Sequence, residues 1–299
     1  MENRVQDKLR NAVSSGGGLN PRIKVAMIGV PALLLILFLT PPWVFGILVG
    51  ALAAVSAVEF ITTTRSAGNI RVLAYVAVSA FAIPLLLSMP LVPVNWMLIA
   101  LALLLALFVE AFLAYDTARQ IPFSFLCLNF FAGVVIPLLL GSLSSLRAVP
   151  ELLWFFDGRV YVLIPFIIAF TTDAGAYFAG NAFGKRKLLE KVSPKKTVEG
   201  SIGGFIAALV SMLIFTFVMV GFFEAEHSLI AVLLYSIIGS AVTQIGDLAF
   251  SFIKREYGKK DFGTLLPGHG GVLDRFDSMI FLAPLISSLV LWYPIVLRG

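Results

Sequence analysis

Carboxylates and cations alternate along the stretch from Gln244 to Ser278. Acids at the margin of an apolar segment are costly and usually functional. Cations between them can bind phosphates through charge-assisted hydrogen bonds, and glycines let the backbone approach a ligand closely. The pattern predicts a site for a phosphate-bearing ligand. Its candidate residues are Asp247, Lys254, Arg255, Lys260, Asp261, His269, Gly270, Gly271, Asp274, Arg275 and Asp277.

A further candidate acid, Asp173, lies inside an earlier apolar segment. It is about seven residues from the polar end of that segment, or roughly 10 Å deep at a helical rise of 1.5 Å per residue. An unpaired carboxylate in lipid is expensive, so we predict a functional role for Asp173. The small neighbours around Gly175 have a structural explanation, because they permit close helix packing.

The polar loop after Asp173 contains a second basic stretch. Ser193 followed by Pro194 predicts the start of a helix, with Ser at the N-cap and Pro at the first helical position. Such a start would aim free N–H groups, together with two lysines, at a bound anion. Two other basic residues of this loop, Arg186 and Lys187, are better explained by the positive-inside rule. The candidates here are Asn181, Lys185, Ser193, Lys195 and Thr197 for substrate binding and Lys196 for catalysis.

The composition requires a membrane around these candidates. The chain is 59% hydrophobic and 13% charged, with a mean hydropathy of +0.97, which excludes an ordinary soluble domain. Apolar runs of about 20 residues recur, whereas the alternating segments of a membrane barrel do not. The single Cys127 excludes an intrachain disulfide framework and a cysteine zinc site. We predict an all-α polytopic membrane bundle.

Nine apolar segments predict about nine transmembrane helices. We divide the chain into a cytoplasmic segment at 1–23, about five helices in 24–158, and a catalytic region at 159–299 with about four helices and cytoplasmic loops at 181–199 and 251–275. The first span is interpreted as a retained helix and not a signal peptide. The predicted spans are 24–40, 43–62, 71–88, 94–114, 122–142, 160–180, 200–222, 228–250 and 276–297.

The distribution of basic residues predicts the orientation. With a cytoplasmic N-terminus, 19 Lys and Arg residues fall on the cytoplasmic side and only 3 on the other, as the positive-inside rule expects. Two acids of the N-terminal half, Glu59 and Glu110, are interpreted as structural residues that pair with basic loop residues or lie near the interface.

The C-terminal motifs resemble those of one family, the phosphatidate cytidylyltransferases, also called CDP-diacylglycerol synthases. The resemblance covers about residues 170–280, and the N-terminal 160 residues match only as hydrophobic spans. One departure is Val198, where the family often has Trp. The matching motifs are Asp173-x-Gly175-Ala176-Tyr177, Ser193-Pro194-x-Lys196-Thr197, Ser251-x-x-Lys254-Arg255, Lys260-Asp261 and His269-Gly270-Gly271-x-x-Asp274-Arg275-x-Asp277.

The resemblance implies a phospholipid biosynthesis enzyme of the bacterial inner membrane. CTP and phosphatidate from the cytoplasmic leaflet would give CDP-diacylglycerol and pyrophosphate, and no nucleic acid partner is expected. Carboxylates converging on one face without a His/Cys cluster suit Mg²⁺, and the resemblance assigns the metal chiefly to Asp247 and Asp274. His269 is interpreted as a donor to phosphate or nucleotide. A second, monovalent cation and a homodimer stay open.

Two alternatives remain at this point. Another CTP-dependent membrane transferase would act on a polyprenol or an ether lipid. An ion-coupled transporter also places acids in membrane helices, but near the midplane between pseudo-repeated halves. Here the acids gather toward one face in the last four helices, which favours the enzyme.

The orientation gives a first testable prediction. Single cysteines at positions 187 and 259, in a Cys127→Ser background, should react with a membrane-impermeant maleimide only after the membrane is opened. A cysteine at position 226 should react in intact cells, because the charge asymmetry places it outside. Labelling of position 187 from outside would contradict the orientation and the predicted site.

Overall fold

The fold is a bundle of long apolar helices. The structure is a computed structural model that describes residues 31–89, 95–115, 120–149, 158–223, 225–265, 270–293 and 295–298. Within these residues, 8 helices are long and apolar enough to cross a membrane, which confirms the predicted all-α membrane bundle. The predicted N-terminal segment at 1–23, the first part of the first span and His269 lie outside the described residues.

The helices follow the predicted spans closely, because a bilayer forces each apolar run to satisfy its own backbone hydrogen bonds. A short helix at 31–39, α1, is the described part of the first predicted span. The spanning helices are α2 (Pro42–Thr63), α3 (Ile70–Leu87), α4 (Trp96–Tyr115), α5 (Phe123–Arg147, with a π-helical turn at Phe131–Val135), α6 (Gly158–Phe183), α7 (Val198–Phe223), α8 (Leu229–Glu256) and α9 (Leu273–Trp292).

Two short antiparallel strand pairs connect helix ends. Strands β1 (Lys187–Leu189) and β2 (Ser193–Thr197) form a hairpin between α6 and α7. Strands β3 (Ala225–His227) and β4 (Val296–Arg298) pair at the opposite end of the bundle. The hairpin therefore lies on the same face as the ends of α2, α6 and α8 and the starts of α3, α7 and α9.

The predicted helix start at Ser193 is wrong. Ser193 and Pro194 belong to β2, whose backbone pairs with β1, and Pro is tolerated in a two-stranded pair that has open edges. The helix begins only at Val198. Thr197 takes the capping role instead, since its Oγ1 accepts the Gly200 N–H at 3.1 Å. Pairing between the strands therefore outweighs the local preference of Ser193 for a helix N-cap position.

Helices α6 and α7 cross through small residues. A Cβ placed on Gly175 would overlap Gly203 O and Ala207, and a Cβ on Gly203 would overlap Ala179. Close backbone approach of this kind gives membrane helices their packing contacts, which confirms the packing interpretation of Gly175. On the other side of α7, Ser201 Oγ donates to Gln244 Oε1 and ties α7 to α8.

Polar residues of the N-terminal half are used to hold helices together. Glu110 accepts hydrogen bonds from Arg71 at 3.0 Å and from Asn69 at 3.1 Å, which confirms its interpretation as a partner of basic residues. Arg147 is buried, and its guanidinium donates to Leu37 O and Thr40 O at the end of α1. These contacts place the N-terminal helices against one another at both ends of the bundle.

Candidate functional site

The first ion pair of the site joins the hairpin to α8. Lys196 Nζ lies 2.5 Å from Asp247 Oδ2, and both side chains are between a quarter and a third exposed. Asp247 Oδ1 also accepts from Ser251 Oγ, one turn further along α8, at 3.2 Å. Because β2 ends directly at α7, the pairing of the strands fixes Lys196 at the start of that helix. The pair is accessible to a ligand that competes for either partner.

Three acids form what we call the acid cluster: Asp173, Asp247 and Asp277. Asp173 is exposed on α6 and interacts electrostatically with Asp247, Lys196 and Arg275. Asp277 is buried on α9, where it interacts with the other two acids, and its Oδ2 lies 4.0 Å from Lys254 Nζ. The predicted convergence of acids from α6, α8 and α9 is therefore seen in the structure.

The second ion pair is buried. Lys254 Nζ lies 2.7 Å from Asp274 Oδ1, and the two side chains are 8% and 4% exposed. Asp274 Oδ2 accepts the N–H groups of Phe262 at 2.8 Å and Gly271 at 2.9 Å. A buried carboxylate is tolerated only when donors satisfy it. Three donors from three elements thus converge on Asp274.

The loop after α8 is anchored on α2 through Phe262. This buried ring stacks with Phe60, contacts Phe250 edge-on and lies 5.2 Å from Lys254 Nζ, within cation–π range. Its carbonyl accepts from Thr63 Oγ1 at 2.9 Å. A helix of the N-terminal half therefore positions the C-terminal motif. Sequence reasoning missed this contribution because the contacts come from ordinary apolar and threonine residues of a membrane span.

Glu59 of α2 is the second contact that sequence reasoning missed. Its Oε1 accepts the Val272 N–H at 3.0 Å and its Oε2 accepts the Leu273 N–H at 2.8 Å. Gly263 and Gly271 close over the carboxylate, because a Cβ on either would overlap it. The sequence predicts Glu59 as a structural acid that pairs with a basic loop residue or lies near the interface. A structural role is seen, but its partners among the described residues are the backbone N–H groups of Val272 and Leu273.

The other predicted residues occupy four kinds of position. Arg255 donates to Val192 O at 3.3 Å and to Lys259 O at 2.9 Å, so its guanidinium links α8 to the hairpin. Gly270 adopts a φ of +86°, which favours glycine, and lies beside Asp261. Ser193 is in β2. The exposed residues are Asn181, Lys185, Lys195, Lys260, Asp261 and Arg275.

The donor set fits a hard divalent cation better at Asp247 than at Asp274. A carboxylate offers about four acceptor positions. Asp247 uses two, for Lys196 and Ser251, whereas Asp274 uses three. Among the residues that the structure describes, no group of three His, Cys, Asp or Glu side chains forms a ready-made metal site. Ligand phosphates would have to complete the coordination, as they commonly do for Mg²⁺.

Fold and site together define a class: a polytopic helical membrane protein with acids and lysines gathered at one end of the bundle, suited to phosphate chemistry. The sequence model of the Cytidylyltransferase family matches residues 20–293. The chain belongs to this family.

Curated relatives agree with this assignment. A phosphatidate cytidylyltransferase of Staphylococcus haemolyticus is 44% identical over 135 residues, 45% of this chain and 50% of that protein. The Bacillus subtilis protein of the same name is 44% identical over 133 residues, 44% and 48% of the two chains. The Haemophilus influenzae protein of that name is 45% identical over 132 residues, 44% and 46%. The chain thus spans about half the length of these relatives.

The buried pair predicts a large effect of removing one charge. Lys254→Met should lower the free energy of unfolding by about 3 to 5 kcal/mol, because Asp274 is left charged and without its cation. Chemical unfolding in detergent measures this. Lys259→Met is the matched control, since this exposed lysine just after the end of α8 should change stability by about 0.5 kcal/mol or less.

The double variant Lys254→Met/Asp274→Asn should regain part of the loss, because it removes both charges. A Lys254→Met protein as stable as the wild type would show that Asp274 does not depend on this pair.

Proposed function

We propose that the protein transfers the cytidylyl group of CTP to phosphatidate, forming CDP-diacylglycerol and pyrophosphate at the cytoplasmic face of a bacterial inner membrane. The observation that carries this is the pairing of Lys196 with the partly exposed Asp247, beside Asp173, at one end of a membrane bundle. Family membership and the names of the relatives support the nucleotide and the lipid. The charge asymmetry of the loops supports the cytoplasmic orientation.

The location suits two substrates of opposite solubility. CTP is a soluble polyanion, whereas a diacyl lipid keeps its chains in the bilayer. A site at the ends of α6, α8 and α9 can receive both, because the helix faces are apolar and the hairpin beside them carries lysines. Basic side chains there offset the charge that two phosphate-bearing substrates bring together.

The chemical step is a displacement at phosphorus. An oxygen of the lipid phosphate attacks the α-phosphorus of CTP, the bond between that phosphorus and the bridging oxygen of the β-phosphate breaks, and pyrophosphate leaves with the electron pair. A phosphate monoester is largely dianionic near pH 7, its second pKa being about 6. The nucleophile therefore needs no general base. The protein has to position the two substrates and neutralise the charge of their phosphates.

Within this proposal each charged residue has a task. Lys196 would exchange its contact with Asp247 for one with a substrate phosphate, and exposed Lys195 and Arg275 would hold further phosphate oxygens. Lys254 stays buried against Asp274 and keeps the start of α9 in place. The acid cluster would orient bound cations and lysines. His269 retains its predicted role as a donor to phosphate or nucleotide, outside the described residues.

We further propose Mg²⁺ as the cofactor, which Asp247 would hold as the principal ligand, with a contribution from Asp274. Mg²⁺ supplies neutralisation of the leaving pyrophosphate and alignment of the phosphates. Oxygen donors without His or Cys are the chemistry that this ion prefers.

The proposed reaction makes a direct prediction. Purified protein should release pyrophosphate from CTP only when phosphatidate and Mg²⁺ are both present, and chelation should stop the release. Polyprenyl phosphate and an archaeal-type ether lipid are the competing acceptors, and faster turnover with either would replace phosphatidate as the substrate. Release without any lipid, or none with any lipid, would contradict the proposal.

The metal assignment is checked in the same assay. Asp247→Asn keeps the shape but loses the charge that a hard cation needs, so turnover should be lost and partly rescued by excess Mg²⁺. Glu110→Gln removes an acid that pairs with Arg71 elsewhere and should leave turnover unchanged. Near-normal turnover of Asp247→Asn at ordinary Mg²⁺ would contradict the assignment.

A phosphate-binding role for Lys196 gives a further prediction. Lys196→Gln removes a charge-assisted hydrogen bond of about 1.5 to 3 kcal/mol, so kcat/KM should fall roughly 10- to 100-fold. Arg186→Gln is the matched control, because it removes one charge from the same hairpin while its exposed side chain makes no ion pair within the described chain. Equal kinetics of the two variants would show that Lys196 contributes only loop charge.

A further inference from the structure

The start of α9 offers three consecutive backbone N–H groups, and two acids from different halves of the chain accept them. The Gly271 N–H donates to Asp274 Oδ2, while the next two N–H groups, of Val272 and Leu273, donate to Glu59. The first N–H groups of a helix have no partner within the helix. An acidic acceptor there also interacts favourably with the helix dipole. Here the acceptor comes from a residue more than 200 positions away in the sequence.

The Glu59 carboxylate faces the amides and, in the part of the chain that the structure describes, forms no ion pair. It is 9% exposed, and within the described ranges no Lys, Arg or His lies within 4 Å of it. Burying a carboxylate without a cation is expensive, and only good hydrogen bonds offset the cost. One amide on each carboxylate oxygen fixes both the height and the rotation of the first turn of α9.

The first turn of α9 carries residues of the proposed site. Asp274, Arg275 and Asp277 follow Leu273 within one turn, so a rotation of the helix start moves all three. Asp274 is tied back to Phe262, which is itself held by Phe60 and Thr63 of α2. The residues Glu59, Phe60 and Thr63 thus contact the loop between α8 and α9 both near its beginning and at its end.

We propose that Glu59 is a positioning residue for the reaction, which sets the geometry of Asp274, Arg275 and Asp277 through the amides of Val272 and Leu273. It touches neither substrate. Its kinetic consequences rest on the proposed function, whereas the amide contacts do not.

The test combines hydrogen exchange with kinetics on the full-length protein in lipid nanodiscs. Glu59→Gln replaces one acceptor oxygen by an NH₂ donor, so the amides of Val272 and Leu273 should exchange about 10-fold faster or more. With CTP and phosphatidate, kcat should fall about 10- to 100-fold while KM for CTP changes less than about threefold, since misalignment removes no binding contact. Glu59→Asp, which keeps the charge on a shorter side chain, should be intermediate.

Glu110→Gln is the matched control, because it also removes a buried acid of a membrane span but one bonded to Arg71 and Asn69. It should change neither exchange at residues 272 and 273 nor kcat. If Glu59→Gln does not fold, Gly271→Ala tests the same contact, since its Cβ would displace the Glu59 carboxylate and speed exchange of the two amides.

Unchanged exchange at Val272 and Leu273 in the variants would overturn the proposal, as would faster exchange with an unchanged kcat. A wild-type protein without activity toward CTP and phosphatidate would refute the proposed function instead. The exchange rates would still decide whether Glu59 holds the start of α9.

Discussion

The buried carboxylate of Asp274 is the group on which the arrangement of the site depends. Its donors come from the end of α8, from the loop after α8 and from the residues before α9. The folded state loses several kcal/mol of stability if the donors of a buried charge move away. These three elements therefore keep one relative position. Asp247 on α8 and Asp277 on α9 are brought near each other by the same constraint. The buried pair therefore fixes α8, which carries Asp247, against the start of α9, whereas the hairpin positions Lys196.

The two halves of the chain have different tasks at this site. The C-terminal half supplies the acids and lysines, whereas α2 supplies the surface against which their loop is fixed. Glu59 satisfies backbone donors, Phe60 packs on Phe262, and Thr63 binds the carbonyl of the same residue. Without these contacts, a glycine-containing loop between two membrane helices would have many conformations of similar free energy. This gives the N-terminal spans a structural reason to be part of the protein.

The helices could be predicted because a bilayer leaves an apolar run of about 20 residues few alternatives to a helix. Which residues belong to the site could be predicted in part. Acids at the margins of spans are costly, and their positions along the chain place them at one face of the bundle. Which acid pairs with which lysine could not be predicted, because it depends on how α8 and α9 are rotated. In the structure Lys254 pairs with Asp274 and Lys196 with Asp247.

Contacts made across the fold also escaped prediction. Ser193 had a local preference for a cap, but pairing with β1 overrode it. The acceptor role of Glu59 links residues 213 positions apart, and no local pattern contains that information.

The tight crossing of α6 and α7 bears on the proposed approach of a lipid to Asp173. The backbones approach so closely at Gly175 and Gly203 that not even a methyl group fits between them. An acyl chain therefore has no room to enter between the two helices at this crossing. On the outer surface of α6, Tyr177 and Phe178 are exposed, so the lipid of the proposed reaction could approach Asp173 over these rings. The glycines thus close one lateral approach to Asp173.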